Sequence, residues 1–193
     1  LALEARAMKD DLMLGDTPKA RTRRRKLAGV KASGRLWKHS ILADIHGLVQ
    51  DDEIADFFTF TLVRNPWDRV VSYYHWLRAQ SFDHPAVRAA RGGDFPAFLR
   101  DGHVALSLHE HPYPSYMTDR HGTERADAYL RLEHLEEDIA PLEAHLGFAL
   151  TPLPHANRSA RARDYREYYS DADAELLGRI CADDIARFGY RFG

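Results

Sequence analysis

One stretch of this chain limits its fold more than any other: an apolar run that leads directly into the start of a helix. Residues 57–63 read Phe-Phe-Thr-Phe-Thr-Leu-Val, which favours a buried strand covered on both faces. Asn65 and Pro66 follow, and they suit a helix N-cap and a first helical position. The next apolar residues recur at helical spacing and predict the face that packs on a sheet: Val70, Val71, Tyr74 and Leu77.

The junction between this strand and this helix has the features of an anion site. Arg64 lies at the carboxyl end of the predicted strand, where open α/β sheets bind their ligands. The start of the helix offers free N–H groups, and a guanidinium group matches two oxygens of a phosphate. Ser72, about two helical turns further on, can donate a hydroxyl to the same group. The alternative interpretation is structural: Arg64 pairs with a carboxylate and Ser72 packs against the sheet.

These residues also resemble a known motif. Arg-Asn-Pro at 64–66, Asp-Arg at 68–69 and Val-Ser-Tyr-Tyr at 71–74 are similar to the 3'-phosphate-binding motif of sulfotransferases that use 3'-phosphoadenosine 5'-phosphosulfate (PAPS). The likeness is greatest to the carbohydrate branch, which includes the uronyl 2-O-sulfotransferases. The resemblance implies that Arg64 and Ser72 hold the 3'-phosphate of PAPS.

The rest of the chain continues the alternation of strands and helices. A second parallel strand is predicted over residues 127–132, ending at Glu133, for which a structural ion pair is the preferred role. A helix closed by Gly147 follows. We therefore expect a single domain over residues 1–193 with a three-layer α/β fold, in which helices flank a mainly parallel central sheet. The resemblance implies the version of this fold found in P-loop NTPases.

Two adjacent residues upstream of the motif are candidate catalytic groups. A lone histidine is more often structural, and the chain has 11 of them. In the uronyl 2-O-sulfotransferase branch, however, the catalytic base is a His followed five residues later by Asp, and His39 and Asp44 have that spacing. A neutral imidazole can accept the proton of a hydroxyl. Lys38 is expected to stabilise charge on the transferring sulfuryl group, or else to be a surface lysine.

A polar, basic segment near the C-terminus supplies further candidates. In the family, an Asn-x-Ser loop ahead of a Tyr-x-x-Tyr-Tyr segment folds over the nucleotide. Residues 157–159 read Asn-Arg-Ser and residues 165–169 contain the three tyrosines. The resemblance therefore implies that Arg158 and Ser159 are second contacts to the cofactor phosphates. The alternative is a charged loop that binds no ligand.

A basic run and a pair of histidines have to be weighed separately. Six of the eight residues from Lys19 to Lys26 are basic, which suits an anionic glycan or a solvated surface equally well. The formal net charge of −2 gives no general attraction for nucleic acid, so none is expected as a partner.

His109 and His111 have metal-like spacing, but the prolines that follow disfavour a common helix, and no metal is expected. Tyr113 or Tyr116, in the same segment, is expected to stack on a sugar from a surface loop.

The beginning of the chain departs from the family pattern. Leu1, Ala5, Met8 and Leu12 predict an amphipathic helix that starts without a cap. Family members begin with a strand and a loop for the 5'-phosphosulfate, so we expect that both are missing here.

No apolar run is long enough to span a membrane. The single cysteine, Cys181, is expected in the core, and a cytoplasmic location is expected.

The resulting prediction is a PAPS-dependent sulfotransferase acting on a hydroxyl group, with a carbohydrate as acceptor. Two alternatives stay open. A non-catalytic nucleotide- or polyanion-binding module is favoured by the absent 5'-phosphosulfate loop. A relative of P-loop kinases or NTPases has the same expected architecture, although the sequence contains no Gly-x-x-x-x-Gly-Lys-Ser/Thr motif.

Overall fold

A computed structural model describes residues 2–153 and 161–193. These residues form a mixed helix and strand protein in which helices flank a small parallel sheet. Strands β1 (Phe60–Val63) and β2 (Ala128–Arg131) pair in that sheet. The α-helices are α1 (Ala2–Arg6), α2 (Pro18–Arg24), α3 (Asp51–Asp56), α4 (Pro66–Arg78), α5 (Pro85–Gly92), α6 (Phe95–Leu99), α7 (Gly102–Glu110), α8 (Tyr113–Tyr116), α9 (Leu135–Asp138), α10 (Ala140–Leu146), α11 (Asp171–Ile180) and α12 (Ala182–Phe188). Short 3₁₀ turns occur at Arg25–Leu27, Leu42–Ile45, Leu132–His134 and Tyr165–Tyr168.

The expected three-layer architecture is only partly seen. Within the part of the chain that the structure describes, the sheet has two strands, so the P-loop-NTPase-like fold stays a prediction. The chain divides into two compact units, and the single domain over 1–193 also stays a prediction. The first unit contains the described residues of Leu1–Leu62, Pro114–Leu130 and His134–Pro154, and the second those of Val63–Tyr113, Arg131–Glu133 and His155–Gly193.

The second unit is a helical bundle built around α4. The predicted apolar face of this helix is confirmed, since Val70 and Val71 are fully buried and Tyr74 and Leu77 nearly so. The face packs in one core with side chains of α5, α6, α7 and α11. Trp67, in the first turn of α4, donates its indole N–H to the carbonyl of Ala174 at 3.0 Å. The helix that carries the candidate anion site is therefore fixed along its whole length.

The helix α5 of the second unit, Pro85–Gly92, has little signal in the sequence. His84 caps it by accepting a hydrogen bond from the backbone N–H of Ala86 at 3.2 Å. Its buried face consists of Ala86, Val87 and Ala90, and small side chains give only a weak apolar pattern in the sequence. The next helix, α6, is capped by Asp94, which accepts the backbone N–H of Ala97 at 2.9 Å.

Two consecutive helices, α11 and α12, lie near the C-terminal end of the second unit. Ser170 caps α11, accepting the N–H of Asp173 at 3.2 Å, and Gly189 ends α12 with a φ of 68°. The break falls at Cys181, whose φ of −105° and ψ of 27° are not helical. Cys181 is buried in the core as expected, and burial raises the pKa of its thiol to about 11.

In the first unit, β1 is shorter and more exposed than expected. Helix α3 ends at Asp56 and Phe57 is its C-cap residue, so the strand begins only at Phe60. Phe57 is 54% exposed and Leu62 is 46% exposed. The expectation of a strand covered on both faces is therefore wrong. The second strand is confirmed, and Leu130 packs with side chains of α9 and α10, the latter ended by Gly147 at a φ of 73°.

The amphipathic helix expected over the first twelve residues is also wrong. Helix α1 ends at Arg6, and Met8 and Leu12 are 74% and 51% exposed. The segment is held by the basic run instead of by an apolar face. Lys19 donates its ammonium to the carbonyl oxygens of Glu4 and Ala7 at 2.6 and 3.0 Å. No helix in the described residues is long and apolar enough to cross a membrane.

Candidate functional site

The junction between β1 and α4 lies in the second unit and is fixed mainly through Asn65. The Asn65 side chain caps α4 by accepting the N–H of Trp67 at 3.0 Å, and Pro66 occupies the first turn as expected. The same side chain donates from Nδ2 to the carbonyl of Arg191 at 3.1 Å. The backbone N–H of Asn65 donates to the carboxylate of Glu133 at 2.7 Å. The Asn-Pro pair is thus a helix start that is held by Glu133 and Arg191, two residues far along the chain.

Glu133 has a structural role, and its contacts in the described residues are hydrogen bonds in place of the expected ion pair. One carboxylate oxygen accepts the N–H of Asn65, and the other accepts the hydroxyl of Tyr190 at 3.3 Å. Burial raises the pKa of the Tyr190 phenol, with the charge of Glu133 as the next cause. Tyr190 consequently stays a neutral hydrogen-bond donor at physiological pH.

Tyr113 holds the peptide of Arg64, and the sugar-stacking role expected for it is wrong. Its side chain is buried, with 6% exposed. The phenol accepts the backbone N–H of Arg64 at 3.1 Å and is 3.3 Å from the carbonyl oxygen of the same residue. The guanidinium of Arg69 lies over the Tyr113 ring, 4.4 Å from its centre. Tyr116 is partly buried in the first unit, and its proposed contact with a sugar stays a prediction.

Asp184 supports this arrangement from α12. Its carboxylate is 2% exposed, accepts the backbone N–H of Tyr113 at 2.8 Å and lies 3.7 Å from the guanidinium of Arg69. Burial raises the pKa of Asp184, while the Tyr113 hydrogen bond and Arg69 act in the opposite direction. The buried Asp184 carboxylate thus helps to position Tyr113, which bonds Arg64, and Arg69, which lies over the Tyr113 ring.

The side chain of Arg64 pairs with Asp68, four residues later on α4. Arg64 Nε donates to Asp68 Oδ2 at 2.7 Å, and Nη2 is 2.5 Å from the same oxygen. Arg161 Nη2 donates to the other oxygen, Oδ1, at 2.6 Å. The structural alternative, in which Arg64 pairs with a carboxylate, therefore describes the observed side chain. Two guanidinium groups and one carboxylate still leave one positive charge at this position.

Ser72 lies partly buried on α4. Among the residues that the structure describes, its hydroxyl has no hydrogen-bond partner. A helical serine commonly bonds a carbonyl in the preceding turn, so a hydroxyl without such a bond is available to a ligand. The proposed role of Ser72 is compatible with this geometry and stays a prediction.

The tyrosines after the basic segment pack on α4. Tyr169 donates its hydroxyl to the carbonyl of Trp67 at 2.9 Å, and the Tyr168 hydroxyl is 2.9 Å from Nε2 of His75. The pKa of His75 is lowered first by desolvation and then by the positive charges of Arg161 and Arg78. The surroundings of His75 are therefore electropositive, and one of the cations there, Arg161, also bonds Asp68. Arg158 and Ser159 lie outside the described residues.

The candidate base lies in the first unit and is exposed. The rings of His39 and Trp37 pack edge to face, with 4.6 Å between their centres. Its pKa is lowered by desolvation and by Lys38, while Asp16 acts in the opposite direction. Both leading causes favour the neutral imidazole that a base requires. Lys38 is itself paired with Asp16 at 3.0 Å.

Asp44, which lies five residues after His39, forms a hydrogen bond with a residue close to it in sequence. Its carboxylate accepts the N–H of Ile41 at 3.0 Å and so caps the 3₁₀ turn Leu42–Ile45. A side chain at Gly34 would collide with this carboxylate, which explains the glycine there. Within the hydrogen bonds of the described residues, Asp44 and His39 are not partners.

Sequence reasoning missed several groups at the junction. The pairing of Asp68 with Arg64 could have been found, because Asp68 lies only four positions after Arg64, in the first turn of α4. Arg161, Tyr113 and Asp184 reach the junction only through contacts distant in sequence, so no local pattern indicated them. In the described parts of the chain, no group of three or more His, Cys, Asp or Glu side chains is placed to hold a metal.

Comparison with known proteins adds one match. A family profile described as the sulfotransferase family matches residues 19–191, which include the β1–α4 junction, the candidate base and the C-terminal helices. No curated protein and no solved structure matches the sequence significantly.

Proposed function

This chain belongs to the sulfotransferase family, and from that premise we propose that it transfers a sulfuryl group from PAPS to a hydroxyl group of a carbohydrate. The family supports sulfuryl transfer in general. PAPS as donor and a saccharide as acceptor are the specific parts of the proposal. They rest on the motif at 64–74, which resembles the 3'-phosphate site of PAPS-dependent enzymes.

The β1–α4 junction is the observation that carries this proposal. The peptide of Arg64 is held by Tyr113, the helix start is capped by Asn65, and the hydroxyl of Ser72 has no partner in the described residues. A guanidinium group held just before α4 and a hydroxyl on α4 suit a phosphate, because donors fixed before binding lose little freedom when they bind. We propose that Arg64 and Ser72 anchor the 3'-phosphate and so fix the position of the cofactor.

The chemical step needs a base and charge neutralisation. The acceptor oxygen attacks sulfur while the bond from sulfur to the 5'-phosphate oxygen breaks, and adenosine 3',5'-bisphosphate (PAP) leaves with that electron pair. We propose that His39 accepts the hydroxyl proton and that Lys38 stabilises negative charge on the sulfuryl group. The lowered pKa of His39 favours its neutral form. Arg158 and Ser159 are proposed as further phosphate contacts.

The basic run is a weaker candidate for steering an anionic glycan than its composition indicated. Lys19, Arg23 and Lys26 donate to backbone carbonyls of the N-terminal segment. Arg21 and Arg25 are exposed and are the members best placed for a glycan. We therefore propose at most a contribution from these two arginines.

PAP release from PAPS tests the proposal directly. The full chain is incubated with PAPS and a panel of neutral and acidic saccharides, and PAP is quantified with and without each acceptor. Acceptor-dependent PAP formation is expected. PAP binding without acceptor-dependent release would support the non-catalytic alternative, and magnesium-dependent ATP hydrolysis in place of PAPS turnover would support the NTPase alternative.

A further inference from the structure

A cavity of about 540 Å³ lies in the first unit, and small-molecule sites in proteins have volumes in this range. The end of α2 and the 3₁₀ turn after it form one side, and residues 30–36 form the other. Of the eight lining residues, five are aliphatic, two are cationic and one is Gly34. None of them is a residue to which catalysis or phosphate binding is assigned above, so the proposed function does not use this cavity.

One wall of the cavity is held against the segment 44–47. Ser33 and Gly34 donate their backbone N–H groups to carbonyl oxygens of this segment at 2.8 and 3.0 Å. A Cβ atom at Gly34 would collide with the side chain of Asp44. A Cβ atom at Gly47, where φ is 95°, would collide with the backbone of the wall. Because the wall is fixed by these close contacts, the cavity exists before a ligand binds.

The lining of the cavity favours an alkyl chain over a sugar. Leu27, Val30 and Leu36 supply the larger apolar groups, and Ala28 and Ala32 the small ones. No aromatic ring, amide or carboxylate is among the eight lining side chains. A buried hydroxyl group without a hydrogen-bond partner costs free energy, so this lining suits an aliphatic ligand better than a saccharide.

The charges at the cavity favour an anionic head group. Arg24 and Lys31 are the charged lining residues, and the Lys31 ammonium has no partner among the described residues. Arg24 lies 3.4 Å from Asp16, a carboxylate that it shares with Lys38 at 3.0 Å. The hydrogen bond from Lys38 is the main cause that lowers the pKa of Asp16, and the charge of Arg24 acts in the same direction. Three cations therefore face one carboxylate at this edge of the cavity.

We infer that this cavity binds an amphipathic anion, with its alkyl chain against Leu27, Val30 and Leu36 and its carboxylate or sulfate head group between Arg24 and Lys31. Burial of the chain supplies the affinity, and the two cations supply the selectivity for an anion. The ligand is a single free amphiphile, since the cavity has the volume of a small-molecule site. The inference goes beyond the proposed function, because it requires neither PAPS nor a saccharide.

Calorimetric titration of the full chain with octyl sulfate, octyl glucoside and inorganic sulfate, each below any micelle-forming concentration, tests the inference. Octyl sulfate is expected to bind at one molecule per chain. Inorganic sulfate lacks the chain and should bind about 100-fold more weakly, and octyl glucoside, which lacks the charge, about tenfold more weakly. Equal affinity for the two octyl compounds, or no binding of octyl sulfate, would overturn the inference. PAPS is absent from the titration, so either result leaves the proposed function as it stands, and a failure to release PAP from PAPS would leave this inference as it stands.

Two variants test the two ends of the ligand. Lys31→Glu turns an attraction at the head group into a repulsion and should weaken octyl sulfate about 5- to 30-fold. Val30→Ser removes apolar contact with the chain and should weaken octyl sulfate about 3- to 10-fold. Both side chains are exposed, so both variants should keep the melting temperature of the parent. Lys9→Glu makes the same change of charge at an exposed lysine outside the lining and should bind like the parent. If Lys31→Glu and Lys9→Glu bind octyl sulfate equally well, the inference is wrong.

Backbone amide NMR shifts locate the bound amphiphile. Octyl sulfate is expected to shift the signals of residues 27–36 in the parent, and Lys31→Glu should require a higher concentration for the same shifts. Saturable shifts confined to other residues would place the ligand elsewhere and overturn the assignment of the cavity.

Sedimentation with vesicles of phosphatidylcholine and phosphatidylserine distinguishes a free amphiphile from a membrane lipid of the same chemistry. The parent is expected to stay in the supernatant. Sedimentation that Lys31→Glu abolishes, together with no binding of octyl sulfate, would assign these cations to a membrane surface and overturn the inference.

Discussion

The two regions to which the family pattern assigns chemistry are built in different ways. At the β1–α4 junction, Asn65 and Tyr113 are buried and each bonds a partner distant in sequence. The segment around His39 is held by short local bonds, such as the one from the N–H of Trp37 to the hydroxyl of Ser40 at 2.9 Å. The junction therefore contributes to stability in addition to its proposed binding role, whereas His39 is exposed and contributes little to folding. Changes in the two regions should separate activity from stability.

The largest effect is expected from His39→Ala. General-base catalysis typically contributes about 10²- to 10⁴-fold, so PAP release should fall by a factor in that range. Because the side chain is exposed, the melting temperature and the affinity for PAP should stay close to those of the parent. Steady-state assays, thermal unfolding and PAP titration measure the three quantities.

An exposed histidine in the second unit provides the matched control. His103 is exposed on α7, and His103→Ala should keep full activity. A His39→Ala variant that turns over at the rate of the parent would remove His39 as the base, and one that loses most of its PAP affinity would assign it a binding role instead.

The next largest effect is the pH dependence of turnover. Desolvation and Lys38 lower the pKa of His39 from its ordinary value of 6.5, so the neutral, active form persists to a lower pH than for a free histidine. The acid limb of kcat/KM should therefore have its midpoint below 6.5 and fall about tenfold per pH unit beneath it. Lys38→Ala removes one cause of the shift and should move the midpoint upward. A midpoint above that of free histidine would contradict this account.

A smaller effect, on stability alone, is expected at the junction. Asn65→Ala removes a helix cap and a hydrogen bond to the carbonyl of Arg191, and loss of such a cap costs about 1–2 kcal/mol of unfolding free energy. Chemical denaturation measures this loss. Asp94→Ala, which removes the cap of the short helix α6, is the matched control for a cap outside the candidate site. Equal PAP affinity in the two variants at temperatures where both are folded would show that Asn65 acts through stability only.

The local parts of the fold could be predicted from the sequence. Asn65, Ser170 and Gly147 mark helix ends because the groups they satisfy lie within a few residues. The apolar spacing of α4 correctly identified its buried face for the same reason. The strand predicted over 57–63 was too long and expected to be too buried, because Phe57 is the C-cap of helix α3 and Leu62 is exposed. An apolar composition does not distinguish a buried strand from a helix end or an exposed position.

For the candidate site, the sequence points only to residues that are close together along the chain, and their roles stay predictions. Arg64 and Ser72 lie on one strand-to-helix stretch, so their spacing carried information. The contacts of Asp68 with Arg161 and of Tyr113 with Asp184 join residues that are many positions apart. Such contacts are set by tertiary packing, for which a single sequence contains no pattern.

The central claim is that the β1–α4 junction binds the 3'-phosphate of the cofactor, and thermal unfolding with PAP tests it most directly. At 100 times the dissociation constant, PAP should stabilise the parent by about 2.7 kcal/mol, a shift of several degrees. Arg64→Ala should abolish the shift, while Arg88→Ala, which removes an arginine that is 62% exposed, should keep it. An equal shift in the parent and in Arg64→Ala would contradict the claim, as would no shift in the parent.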